Sequence, residues 1–153
     1  MNEDRIKKII SARTRGTTTF SVEFHEEEPG AVAQAFLELE SIAQSLELIK
    51  QLRKLCRRTD EGLFVPLEET ANQMQKVCLS AAASFPYILP RSFIEEKLEV
   101  PYNSYKVYAG AKKFDSRLYL SFDEDKGLKI SLEGIPWVAS LFESELVNLS
   151  EGD

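Results

Sequence analysis

Histidine, cysteine and glycine are all scarce in this chain, and each scarcity closes off a chemistry. One histidine, His25, serves 153 residues. A metal centre ordinarily needs several ligands converging on one ion, and Glu26, Glu27 and Glu28, adjacent in sequence, do not converge by themselves. The cysteines number two, Cys56 and Cys78, both in segments of helical spacing with apolar neighbours. A secreted disulfide framework would use more of them, at loop positions, so reduced thiols are expected. A Cys–His dyad with His25 stays open, although thiols among apolar residues are usually inert. Seven glycines form neither G-x-x-x-x-G-K-[ST], nor G-x-S-x-G, nor a glycine-rich strand–turn–helix. No cofactor or metal is expected.

Long apolar runs are also lacking: none approaches the length needed to span a bilayer. The N-terminal MNEDRIKKIISAR is charged from its second residue, unlike a secretory signal. A soluble cytoplasmic protein with no membrane partner is therefore expected. Internal repeats, low-complexity segments and linkers are not seen, which implies a single α+β domain over 1–153.

What is present is an ordinary globular balance, with 43% hydrophobic and 29% charged residues. The net charge of −6 repels nucleic acid on average. The charge is uneven, however. Basic residues gather at Arg5, Lys7, Lys8, Arg13 and Arg15, and again at Lys50, Arg53, Lys54, Arg57 and Arg58.

Periodicity predicts the elements. Residues 3–13 place Ile6, Ile9 and Ile10 on one face of a short amphipathic helix, and the strict alternation of TTTFSVEF at 17–24 predicts a half-buried strand. From about 30 to 58 the spacing of Ala35, Leu39, Ile42, Leu46 and Ile49 predicts one long helix. Thr59 to Gly62 reads as a turn. Further helices are expected at 67–83, at 92–98 and, closing the chain, at 136–149. Between the last two, a meander of three strands is expected at 105–112, 117–123 and 128–133, its last two joined through the acidic turn at 123–127. The fold class is then α+β: a mainly antiparallel sheet, comprising the 17–24 strand and the 105–133 meander, with helices on one face.

Four features invite functional readings. The run His25 to Pro29 is best explained as a helix start, since carboxylates favour a helix N-terminus and cations its far end. The same macrodipole accounts for Arg53, Arg57 and Arg58, whose alternative role is anion binding. On the expected meander, one face would display Lys106, Tyr108, Lys112, Arg117, Tyr119, Ser121 and Lys129. Cations interleaved with tyrosine suit single-stranded nucleic acid or a protein partner, while strand propensity and protection of sheet edges explain the same residues without a ligand. Trp137 reads as a packing residue or a partner anchor.

Two motif matches are set aside. Tyr102–Lys106 and Tyr108–Lys112 fit a Tyr-x-x-x-Lys spacing whose chemistry needs a helix beside a dinucleotide fold. Asp123, Asp125 and Gly127 fit a hairpin turn rather than a calcium loop, whose glycine stands elsewhere.

With no complete catalytic set, the first expectation is a non-catalytic intracellular interaction module: an adaptor, regulator or immunity-type partner, self-associating as a homodimer through helical surface. The alternative is a single-stranded nucleic-acid-binding protein using the tyrosine–lysine face. A third is an enzyme whose residues are dispersed in sequence.

Overall fold

The computed structural model describes the backbone of residues 7–13, 19–25, 30–67 and 72–151, and side chains over 30–67 and 72–149. Glu26, Glu27, Glu28 and Pro29 lie outside the described residues, as do Arg5 and Arg15. The fold is α+β, and the chain groups into two compact units, Met1–Glu47 and Leu48–Asp153.

In the first unit, β1 (Lys7–Arg13) pairs antiparallel with β2 (Thr19–His25), in a register running from Lys7 opposite His25 to Arg13 opposite Thr19. The helix expected at 3–13 is thus replaced by a strand from Lys7 onward. Ile9 and Ile10, consecutive and β-branched, suit a pleated ribbon, and the alternating segment at 19–25 supplies its partner.

Helix α1 (Ala31–Arg53) has 23 residues, about 34 Å at 1.5 Å per residue. It is unbroken, and it stops short of the expected boundary at 58. Cys56–Arg58 forms β3 instead, antiparallel to β4 (Phe64–Pro66). The turn expected at Thr59–Gly62 is there, with Gly62 at φ 83°, and it closes this hairpin. The Thr59 hydroxyl donates to the Leu63 carbonyl, at 3.1 Å. A three-residue strand has no periodicity of its own. Only its partner, several residues away, identifies it.

Helix α2 (Gln73–Ser84) starts at Asn72, whose side-chain oxygen accepts from the Gln75 backbone N–H at 2.8 Å. Every residue from Val77 to Ser84 is buried, which is the signature of a helix enclosed on all sides. The small residues Ala81, Ala82 and Ala83 let neighbours come close. Elements on several sides do so: β4, α4, β6 and α5 all pack on α2. Phe64 of β4 is fastened there twice. Its N–H donates to Ser84 Oγ at 2.9 Å and its carbonyl accepts from Ser80 Oγ at 2.6 Å.

Then follow α3 (Arg91–Glu96), α4 (Tyr102–Gly110), a 3-10 turn at Asp115–Leu118, and the antiparallel hairpin of β5 (Leu120–Asp123) and β6 (Gly127–Ile130). Leu89 adds a one-residue bridge to Leu128 on the free side of β6. The closing helix is two helices, α5 (Gly134–Leu141) and α6 (Glu143–Glu151), parted at the buried Phe142.

Among the described residues, the single sheet expected from the sequence is therefore three separate two-stranded ladders, and its first meander strand, 105–112, is mostly helix α4. Val107, Ala109 and Ala111 alternate as the inward residues of a strand would. The decisive spacing is that of Tyr105 and Tyr108, one helical turn apart, which are the two buried residues of α4. Val107, which that alternation would bury, is exposed.

Candidate functional site

From Leu89 to Ile130 the order is a one-residue bridge, α3, a turn, α4, the 3-10 turn and the β5–β6 hairpin. Between α3 and α4 lies the turn Lys97–Pro101. In it Glu99 takes a left-handed conformation, φ 56°, a place where glycine is the usual occupant. Pro101 precedes the first helical residue of α4, where its fixed φ suits a helix start. Helix α4 packs on α2 and on β5. Along the chain, then, a six-residue helix, a five-residue turn and a nine-residue helix precede the β5–β6 hairpin.

Inner and outer faces of α4 differ sharply. Tyr105 and Tyr108 are buried, whereas Asn103, Lys106, Val107 and Gly110 are exposed. The last four recur at intervals of three, one and three, so they share one face. A Cβ built on Gly110 would meet nothing within 4 Å, leaving that end of the face open to close approach. From Tyr102 to Leu118 there are four cations, Lys106, Lys112, Lys113 and Arg117, against one carboxylate, Asp115. This is a local reversal of the chain's charge.

The residues expected on one sheet face are dispersed over several elements. Lys106 and Tyr108 belong to opposite faces of α4. Tyr108 is a core residue, 8% exposed, packed edge-on to Phe114 with ring centroids 5.1 Å apart. Burial raises its pKa. Its backbone carbonyl accepts from the buried Ser116 hydroxyl at 2.6 Å, tying the 3-10 turn to the end of α4. Lys112 follows α4, Arg117 lies in the 3-10 turn, and both are exposed. Tyr119 stacks on Trp137 at 5.2 Å, giving that tryptophan a packing partner. Lys129 and Ser121 face each other across the hairpin. Tyr108 and Tyr119 thus have intramolecular partners, and the expected stacking platform is not assembled.

The anion-binding trio divides as well. Arg53 Nε donates to the Ala83 carbonyl at 2.8 Å and a terminal nitrogen to the Phe85 carbonyl at 3.2 Å. Its guanidinium also lies 4.8 Å from the Phe64 ring centroid. Arg53 is therefore a cation at the C-terminal end of α2, favoured by that helix's dipole. Burial lowers its pKa, and Arg58 lowers it further. Arg57 and Arg58 are exposed on β3.

A different cluster, unmarked by sequence pattern, sits beside the start of α4. Glu124, in the hairpin turn, accepts from the Tyr102 hydroxyl at 2.5 Å. It also pairs with Lys106 at 3.4 Å and Arg91 at 3.5 Å. Arg91 lies over the Tyr102 ring at 4.5 Å, and its Nε donates to the buried Tyr105 hydroxyl at 3.4 Å. The Tyr102 hydroxyl, and after it Lys106 and Arg91, hold the Glu124 carboxyl below its usual range. Next to it the Asp123 carboxylate accepts the backbone N–H groups of Asp125 and Lys126, which depress its pKa in turn. The Tyr102–Lys106 pair set aside above does lie on a helix. What adjoins it is an antiparallel hairpin, not the parallel sheet of a dinucleotide fold.

Both thiols are buried, and burial pushes Cys56 and Cys78 up to about 12, so neither is a ready nucleophile at neutral pH. Among the described residues no three His, Cys, Asp or Glu gather as a metal site, and no helix is long and apolar enough to cross a membrane. No family model, curated protein or solved structure matches this chain.

Proposed function

We propose that this protein acts by binding rather than by catalysis, and that the Leu48–Asp153 unit binds duplex DNA through α4. The observation that carries the reading is the outer face of α4, where Asn103, Lys106, Val107 and Gly110 stand exposed together, with Lys112, Lys113 and Arg117 exposed beyond its end. Nucleic acid was the second expectation from sequence. Its seat moves from a sheet face to a helix face, and with it the ligand moves from single strand to duplex. A helix fits the major groove of B-form DNA but not the deep, narrow groove of duplex RNA. Asn103 is of the type that pairs with adenine edges, Lys106 with guanine or phosphate, and Val107 offers apolar contact to a thymine methyl. Lys112, Lys113 and Arg117 supply backbone contacts beyond the end of α4.

Fluorescence anisotropy tests this with random-sequence duplex DNA, single-stranded DNA and duplex RNA at about 50 and 200 mM salt. Duplex DNA should bind best, and the joint variant Lys112→Ala, Lys113→Ala, Arg117→Ala should weaken it by at least tenfold with a shallower salt slope. Asn103→Ala should instead narrow the spread of affinities among sequences. Equal affinity for all three nucleic acids, or none for the duplex at low salt, would overturn the reading.

The first expectation from sequence, a self-associating interaction module, has its own support. Val32, Phe36 and Leu37 are 44%, 55% and 60% exposed in the first turns of α1. Large apolar side chains bared this close together favour a protein partner, with a second copy of the chain as the simplest. The two readings are compatible, since proteins that read duplex DNA with a helix commonly bind as symmetric dimers.

A further inference from the structure

We infer that Arg91, Tyr102 and Lys106 form a binding site for a DNA backbone phosphate, and that Glu124 occupies it in the free protein. The inference rests on the duplex-DNA reading and adds to it a particular site and a resident competitor. Three donors of different kinds converge on one anion. One carboxylate oxygen of Glu124 takes the Tyr102 hydroxyl at 2.5 Å and the Lys106 ammonium at 3.4 Å; the other takes Arg91 at 3.5 Å. Arginine, lysine and tyrosine are the side chains that hold phosphates on duplex DNA, and a phosphate offers the same oxygens with more charge. The donors are fixed before any ligand arrives. The Arg91 guanidinium lies over the Tyr102 ring, 4.5 Å from its centroid, and its Nε is engaged by Tyr105, while Tyr102 is wedged edge-on against Tyr105 and Phe122 at 5.6 and 5.9 Å.

The location fits the ligand. Tyr102 and Lys106 belong to α4 itself, Lys106 on its outer face, and the side chains of Arg91, Lys106 and Glu124 are 40%, 53% and 57% exposed. Exposed ion pairs of this length are weak, so an incoming phosphate displaces the carboxylate at little cost. Once displaced, Glu124 stays near the duplex as an unpaired negative charge. It therefore lowers both the affinity and its dependence on salt.

The test is anisotropy on a short duplex DNA with the whole chain and the variants Glu124→Gln, Asp125→Asn and Lys106→Ala. Asp125→Asn makes the same change in net charge one residue away, outside the cluster. Glu124→Gln should bind about five- to twentyfold more tightly at low salt, with a salt slope steeper by about one. Asp125→Asn should change affinity by much less, and adding Lys106→Ala to Glu124→Gln should abolish most of the gain. Thermal melting checks that the variants fold, and Glu124→Ser serves as a second neutral replacement. Equal gains from Glu124→Gln and Asp125→Asn, or no gain from the former, overturn this inference while leaving Lys106-dependent binding by the unmodified chain intact. Absence of binding by the unmodified chain and both neutral variants overturns the duplex-DNA reading as well.

Discussion

Single residues decide how closely the elements of the Leu48–Asp153 unit can approach. At Gly127, φ is 117° and an added Cβ would stand 2.0 Å from the Leu89 carbonyl oxygen. The Leu89–Leu128 bridge, with hydrogen bonds of 2.8 and 2.9 Å, exists only because no side chain is there. Gly127→Ala should cost roughly 2–4 kcal/mol through strain and backbone displacement, read as a lower denaturant midpoint. Burial sets the chemistry of the thiols. Cys56 and Cys78 have pKa values raised to about 12, so the folded state favours their neutral form. Their contribution to stability is complete below their ordinary value near 9 and is lost as pH rises towards 12. At pH 8 both should react with a disulfide reagent far more slowly in native than in denatured protein. Fast stoichiometric reaction of native protein would refute the burial.

At the scale of elements, α2 organises its unit, and the sequence shows why only in part. Asn72 as a start, then a run of small and apolar residues, marks an enclosed helix. The role of Ser80 and Ser84 is not visible there, because their partner is the backbone of Phe64, sixteen and twenty residues earlier. Ser84→Ala leaves a buried N–H without its acceptor, and Ser80→Ala leaves a carbonyl without its donor. Each should destabilise by about 1–3 kcal/mol. The double variant should cost less than the sum, because both changes release the same strand; strict additivity in denaturant unfolding would contradict that coupling. Helix α4 illustrates the opposite difficulty. Its tyrosines have strand propensity, and two periods compete within nine residues. Burial of Tyr105 and Tyr108 against neighbours distant in sequence settles the competition, as tertiary packing commonly does.

For the whole molecule, net charge is a poor guide to partners. The sum of −6 averages over a helix-and-turn segment where cations prevail and over acidic residues elsewhere. Glu124 is one of those acids, and it is set against two cations rather than spread over the surface. The proposed self-association belongs to the same scale. Light scattering after size exclusion at about 100 µM should show a dimer, and Phe36→Glu with Leu37→Glu should shift it to monomer without lowering the melting temperature by more than a few degrees. A monomeric unmodified chain under those conditions would dispose of the interaction surface on α1.

The sequence by itself determined the α+β class, a long helix without internal interruption (expected to 58, ending at Arg53), the strand expected at 17–24 and found at 19–25, the turn at Thr59–Gly62 and the hairpin through Asp123–Gly127. These depend on periodicity and turn chemistry, which act between near neighbours in the chain. It expected Lys106, Lys112 and Arg117 on one sheet face, whereas they stand on α4, just after it and in the 3-10 turn. Only the tertiary structure decided that residues 102–110 are a helix, that Cys56–Arg58 is a strand, that Arg53 serves the end of α2, and that Arg91, Tyr102 and Lys106 meet at Glu124. Each of those depends on a partner far along the chain, and the free energy that selects it comes from burial and hydrogen bonds formed only when the distant segments meet.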